Sequence, residues 1–225
     1  MAAAPPAVPV GDIFATAFVR YGGGFLTYGL MALASAILPA LAVLVLVATD
    51  PGDGVTLATV AVSGSIAYLA LIGAITAVIG ARLRSHLGAI VLTAVTAMPP
   101  IAVVIAVLGP VALLVLPFVL PFFALAPIAA GAGDASGVAA CRTSLTLVGR
   151  RGYLRSLGVV AGLELIGALL WVSFSIALSP ITGDLRSYSI VLLWIAIYWP
   201  ISALVFRSLY GALTGKLTIR TEARA

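Results

Sequence analysis

Glu164 is the side chain in this sequence best placed to do chemistry. It is the one acid inside a long apolar run, and an ionisable group there normally faces protein or water and finds a partner. Arg207, near the end of the last apolar run, is the candidate partner at comparable depth. An interhelical ion pair Glu164–Arg207 is the structural reading; a carboxylate coupled to a proton or a substrate is the functional one. A second cluster is basic. Arg142, Arg150, Arg151 and Arg155 crowd into residues 131–158 against a single acid, Asp134, and are candidate contacts for lipid phosphates or a partner protein.

Other chemistries lack the residues to carry them. Gly131-Ala132-Gly133-Asp134 spells the G-x-G-D of intramembrane aspartyl proteases, yet that reaction needs a second carboxylate at the same depth to share the proton. Asp50, Asp53 and Asp184 belong to turns, and Asp12 to an N-terminal surface piece. No H-E-x-x-H, nucleophile elbow or phosphate-binding loop occurs. With one cysteine, Cys141, and one histidine, His86, neither an internal disulfide nor a cysteine- or histidine-built metal site is expected. The expectation is a chain with no catalytic site and no cofactor.

Composition dictates the elements that hold these residues. Of 225 residues 63% are hydrophobic and 8% charged, with a mean hydropathy of +1.24; a soluble domain carries about 25% charged residues. A chain this apolar cannot hide its side chains within itself, so its expected solvent is lipid. The net charge of +5 does not form a nucleic-acid stripe, and no nucleic acid is expected as a partner. The basic residues sit at the ends of apolar runs, where anionic headgroups account for them.

The fold expected is an all-α polytopic transmembrane bundle, six spans in three hairpins. A single domain covers residues 11–215, after a Pro/Ala stub (1–10) and before a basic tail (216–225). The expected spans are 25–48, 55–81, 89–108, 111–130, 157–178 and 190–209, each near the ~20 residues a bilayer requires. Asp12 opens an amphipathic surface helix with Ile13, Phe14, Ala17, Phe18 and Tyr21 on one face, closed by Arg20 and Gly22–Gly24. Pro39 is expected to bend the first span, Pro99–Pro100 to break the third, and Pro117, Pro121 and Pro127 the fourth. On the fifth, Gly158 and Gly162 form a G-x-x-x-G packing face. Ala161, Glu164, Ala168 and Trp171 lie on another side of it, so this helix is expected at the centre of the bundle.

Between the fourth and fifth spans, Val138, Cys141, Leu145 and Val148 recur at i, i+3, i+7 and i+10, one narrow helical face. Arg142, Thr146 and Arg150 share another. Asp134 or Ser136 is expected to cap this helix and Gly149 or Gly152 to end it. Such a helix lies in the headgroup plane with its arginines in water; an ordinary helical connector would show the same periodicity. With the N-terminus in the cytoplasm, Arg186 alone of the 12 Lys and Arg residues falls outside, so both termini are expected inside. Short echoes fit three hairpins entered from basic edges. They are Arg84-Ser85-His86-Leu87-Gly88 with Arg155-Ser156-Leu157-Gly158, and Gly24-Phe25-Leu26 with Gly152-Tyr153-Leu154. Small and basic residues favour any such boundary, which accounts for matches this short equally well.

Three stretches carry a family resemblance. They are PFVLPFFALAPIAAGAG (residues 117–133), the run Ala139-Ala140-Cys141-Arg142-Thr143-Ser144-Leu145-Thr146-Leu147-Val148-Gly149-Arg150, and Leu154-Arg155-Ser156-Leu157-Gly158. Together with Val10-Gly11-Asp12 they resemble the membrane domain of the glycerophosphoryl diester phosphodiesterase membrane-domain family and related six-helix bacterial proteins. The family's catalytic barrel has no counterpart here, so the resemblance implies a fold more than an activity. Usage heavy in alanine, arginine and glycine suits a high-GC bacterium and hence its plasma (inner) membrane. The expected function is that of a non-catalytic membrane subunit or scaffold working through a basic cytoplasmic face. Its partners would be the bilayer's anionic headgroups and another membrane protein or a second copy. The alternative is a small transporter or exporter-permease subunit for a lipid or hydrophobic molecule, supported by the proline-broken spans and Glu164.

Overall fold

The structure, a computed structural model, describes residues 8–49, 52–108 and 112–217, without the side chains of residues 47, 53–58, 102, 104–108, 112–118, 150 and 151. Backbone polar groups in an apolar setting must be satisfied within their own segment, and long helices do this. The chain forms α1 (Val10–Ser35), α2 (Ile37–Thr49), α3 (Asp53–Ile79), α4 (Leu83–Leu108), α5 (Ala112–Ala132), α6 (Gly137–Arg151), α7 (Tyr153–Ala177) and α8 (Asp184–Thr214). There is no strand among the described residues. Among the described residues four stretches are long and apolar enough to cross a membrane: Val10–Leu46, Thr59–Ile79, Tyr153–Ala177 and Asp184–Thr214. A shorter apolar stretch is Val119–Ala132. This fits a helical membrane protein, with four full-length spans where six were expected. Arg84 and His86 at the start of α4 and Pro99–Pro100 within it dilute its apolar run, and side chains at its far end and in the first turns of α5 lie outside the described residues. Residues 1–7 of the stub and 218–225 of the tail lie outside them too, and α1 begins at Val10, inside the expected stub.

Helix boundaries depart from expectation in three places, each for a local reason. The N-terminal surface helix and the first span are one element, α1, kinked at Gly24 (φ −136°, ψ 23°). The first span is interrupted at Ala36, between α1 and α2, in agreement with the bend expected of Pro39, which has no N–H to offer the carbonyl of Ser35. Proline does not break α4 or α5. Both run on as helix, through Pro99–Pro100 and through Pro121 and Pro127 respectively, as membrane helices can when neighbours cover the freed carbonyls. The support that broken helices lent to a transporter is thereby removed.

Packing follows small residues. Gly73 of α3 meets α5 so closely that a Cβ there would sit 2.9 Å from the carbonyl oxygen of Pro127, and one on Gly131 would run into the carbonyl of Gly73. Gly29 lets α1 reach the carbonyl of Ala196 on α8, the very carbonyl that Pro200 leaves without its helical donor. α7 and α8 are antiparallel in constant register: Gly152 faces Leu213, Gly167 faces Tyr198, and Trp171 meets Trp194 edge-to-face. The buried core lies where α3, α5 and the C-terminal half of α8 converge, with Leu69, Ile72, Ile75, Leu125, Ile128, Leu204, Phe206 and Leu209 all but inaccessible. α7 is peripheral, against expectation. It buries only Ser156, Val159, Val160, Leu163 and Gly167, while Leu165, Leu169, Trp171, Val172 and Ile176 face outward.

Candidate functional site at the basic end of the bundle

Three helices end together by one mechanism. In α3, the N–H of Arg82 donates to the carbonyl of Ala77 (2.8 Å) and that of Ala81 to Val78 (2.9 Å). In α5, Asp134 donates to Ala129 (2.9 Å) and Gly133 to Ala130 (3.1 Å). In α8, Lys216 donates to Gly211 (2.8 Å). These are Schellman-type C-caps, which demand a left-handed residue one position beyond the helix cap. Ala81 (φ +54°), Gly133 (φ +79°) and Gly215 (φ +72°) fill that place. The residue just after each is charged: Arg82, Asp134 and Lys216. Two are cations beside helix C-termini, where the macrodipole favours them.

The geometry converts these termini into a clasp. Lys216 Nζ donates to both carboxylate oxygens of Asp134, at 2.9 and 2.8 Å, and the Tyr210 hydroxyl donates to Oδ2 at 2.7 Å. Arg82 Nη1 donates to the carbonyl of Ala132 at 3.3 Å. His86 closes over Gly133, where a Cβ would sit 2.6 Å from Nε2. Partial burial opposes the charge on Asp134. The hydrogen bonds from Lys216 and Tyr210, with the positive charges of Lys216 and Arg82, outweigh that and hold the carboxyl below its ordinary value of 3.8. G-x-G-D is thus accounted for residue by residue. Gly131 admits α3, Gly133 supplies the left-handed turn, and Asp134 takes the clasp.

α6 is fastened by a hydroxyl that the sequence does not advertise. Thr93 of α4 donates to the carbonyl of Ala89 (2.7 Å) and accepts from the N–H of Gly137 (2.8 Å). Neither Asp134 nor Ser136 caps the helix, as had been expected; Asp134 is held by Lys216 and Tyr210, and Ser136 makes no side-chain cap bond. The buried face is Gly137, Ala140, Cys141, Ser144 and Val148. Cys141 and Val148 stand where periodicity placed them, but Val138 (73% exposed) and Leu145 (44%) face outward. Small side chains let α6 lie close to α4 and α5, and that contact sets its rotation.

Arg142 is exposed on α6 and Arg155 half-buried on α7; the side chains of Arg150 and Arg151 lie outside the described residues. Glu164 and Arg207 are not paired. The α7–α8 register sets Arg207 opposite Gly158, six residues from Glu164 along the helix, or ~9 Å at 1.5 Å per residue. Among the described residues the one ion pair is Lys216–Asp134. Glu164 is exposed on α7, beside its buried stripe, and among the described residues it has no hydrogen bond and the buried Nε of Arg207 has no acceptor. Gly162 admits the ring of Phe14, at 2.7 Å from a would-be Cβ, whereas Gly158 makes only ordinary contact with Val10. No His, Cys, Asp or Glu cluster able to hold a metal occurs among the described residues.

No protein-family model, curated protein or solved structure matches this chain. What it does must come from its own geometry. The sequence missed Tyr210 and Thr93, which are only an aromatic and a hydroxyl within apolar runs. The signal for the clasp was available: Gly-Asp after α5 and Gly-Lys after α8 both have the glycine-then-charge form of a helix end.

Proposed function

We propose that the chain is a non-catalytic integral membrane subunit, its basic end in the cytoplasm, that seats a partner's transmembrane helix on the outer face of α7. One observation carries this reading: Glu164 sits in the middle of α7, exposed, with no hydrogen bond or ion pair among the described residues. A charged carboxylate facing acyl chains costs about 2.5–3.5 kcal/mol on insertion scales, and a partner offering a cation or a hydrogen-bond donor removes that cost. Ala161 and Ala168, exposed one turn to either side, let a second helix approach closely. The basic face with Arg82, Arg84, Arg142 and Lys216 supports the orientation by the positive-inside rule.

Cross-linking tests it. In a Cys141→Ser background, cysteines at Ala161 or Ala168 should give one adduct of discrete mass with a membrane-permeant bis-maleimide in native membranes. Glu164→Leu should weaken that adduct while the chain stays folded. A face that reacts freely with a lipid-soluble monomaleimide and yields no adduct would mean that α7 meets only lipid, and the subunit reading would fall.

A further inference from the structure

The turn from α3 to α4 forms an open groove of about 460 Å³, lined by Val78, Ala81, Arg82, Leu83, Arg84 and Ser85. It lies at the basic end, just past the Thr59–Ile79 span. Its wall has two chemistries. Val78 and Leu83 continue the apolar surface of the helices they belong to; Arg82, Arg84 and Ser85 present cations and a hydroxyl. Arg82 is oriented by its bond to the Ala132 carbonyl, and Ser85 Oγ donates to the Arg82 carbonyl at 3.0 Å. Arg84 is exposed and makes no hydrogen bond or ion pair among the described residues. Asp134, the carboxylate that Arg82 acts on among the described residues, is already taken by Lys216 and Tyr210. The groove therefore holds one uncompensated guanidinium beside a second that is fixed in place. The first N–H groups of α4, which have no partner within the helix, open at the same edge. The shape of the turn is enforced at a cost, because Ala81 is the one non-glycine residue with positive φ among the described residues.

We propose that this groove binds the headgroup phosphate of an anionic phospholipid, with an acyl chain lying along Val78 and Leu83. The inference rests on the membrane reading above but not on the partner helix. Two guanidinium groups match a phosphodiester's acceptor oxygens. The apolar wall is what distinguishes a lipid from a free anion, which would gain nothing from Val78 or Leu83.

The full chain, reconstituted in phosphatidylcholine nanodiscs and titrated with phosphatidylglycerol, gives the test by native mass spectrometry. Phosphatidylglycerol should be retained on the protein. Arg84→Gln should weaken retention about tenfold and Arg84→Lys less, since lysine keeps the charge and loses the fork. Arg224→Gln, which removes the same charge from the C-terminal residues, should leave retention unchanged. Millimolar inorganic phosphate should not displace the lipid. Equal losses for Arg84→Gln and Arg224→Gln would show diffuse attraction to a basic surface and overturn the site. Displacement by inorganic phosphate would make it a free-anion site and overturn the lipid assignment. A chain that does not enter nanodiscs as an integral protein would sink the membrane reading itself, a failure distinct from both.

Discussion

Removing the carboxylate of Asp134 tests whether the clasp is held by its ion pair or by its tyrosine. The Lys216 side chain is 60% exposed and that of Asp134 31%, so their pair is worth at most about 1 kcal/mol in water-facing surroundings. Tyr210 is different. It is only 5% exposed, its hydroxyl donates to a charged acceptor at 2.7 Å, and such a bond contributes about 1.5–3 kcal/mol. Asp134→Ala should therefore destabilise by about 2 to 3 kcal/mol, Tyr210→Phe by about 1.5, and Lys216→Met by under about 1. Unfolding measured in nanodiscs, arranged as two double-mutant cycles, should give a larger coupling for Asp134/Tyr210 than for Asp134/Lys216. The pH dependence has a fixed sign. A carboxyl held below its ordinary 3.8 contributes stability above that value and loses it as pH falls through the lower folded value. Wild type should lose this contribution below about pH 4, and Asp134→Asn should show no such step. A Lys216→Met variant as damaged as Asp134→Ala, with no coupling between positions 134 and 210, would refute the assignment to Tyr210.

Three further outcomes follow from the backbone and the packing. Ala81→Gly should raise stability by about 1 kcal/mol, read as a higher melting temperature, because it removes the left-handed strain from the α3 cap. Gly131→Ala should cost about 3 kcal/mol or abolish folding, since the new methyl meets the Gly73 backbone; Gly88→Ala, with nothing within 4 Å, should instead gain about 0.5–1 kcal/mol. Cys141, buried against the bundle with its thiol pushed up by that burial, should react slowly with a water-soluble maleimide until the protein is denatured.

Helicity, the amphipathic start at Asp12, the polar interval before α7 and the placement of Cys141 and Val148 were legible because they follow from hydropathy and turn chemistry. The rotation of α6 and the outward position of α7 were not. Hydropathy marks the inside of a protein only when the outside is water. Against lipid, Val138, Leu145, Leu165 and Leu169 have no reason to face inward, while Gly73, Gly131, Gly137, Ala140 and Ser144 are inside because they let backbones touch. Proline misled for a related reason. Pro99, Pro121, Pro127 and Pro200 each free a carbonyl without ending the helix; the one Pro200 frees, at Ala196, is met by Gly29, and nothing in a one-dimensional reading shows that neighbour. The pairing of Glu164 with Arg207 failed on register, which only the contacts of Gly152, Gly167 and Trp171 reveal.

Asp134 and Lys216 stand 82 positions apart, and between them lie α6, α7 and α8. A chain emerging from the ribosome thus carries the carboxylate long before its counter-ion exists. In that interval the turn after α5 has Arg82 as its nearby cation, and Tyr210, the other ligand of the carboxylate, is equally unmade. The clasp can shut only after α8 has threaded back to the basic end with its last turn formed. Its closure therefore joins the end of α5 to the end of α8 only once both are in place. An open clasp leaves Asp134 with Arg82 as its nearby cation and leaves Lys216 without its acceptor.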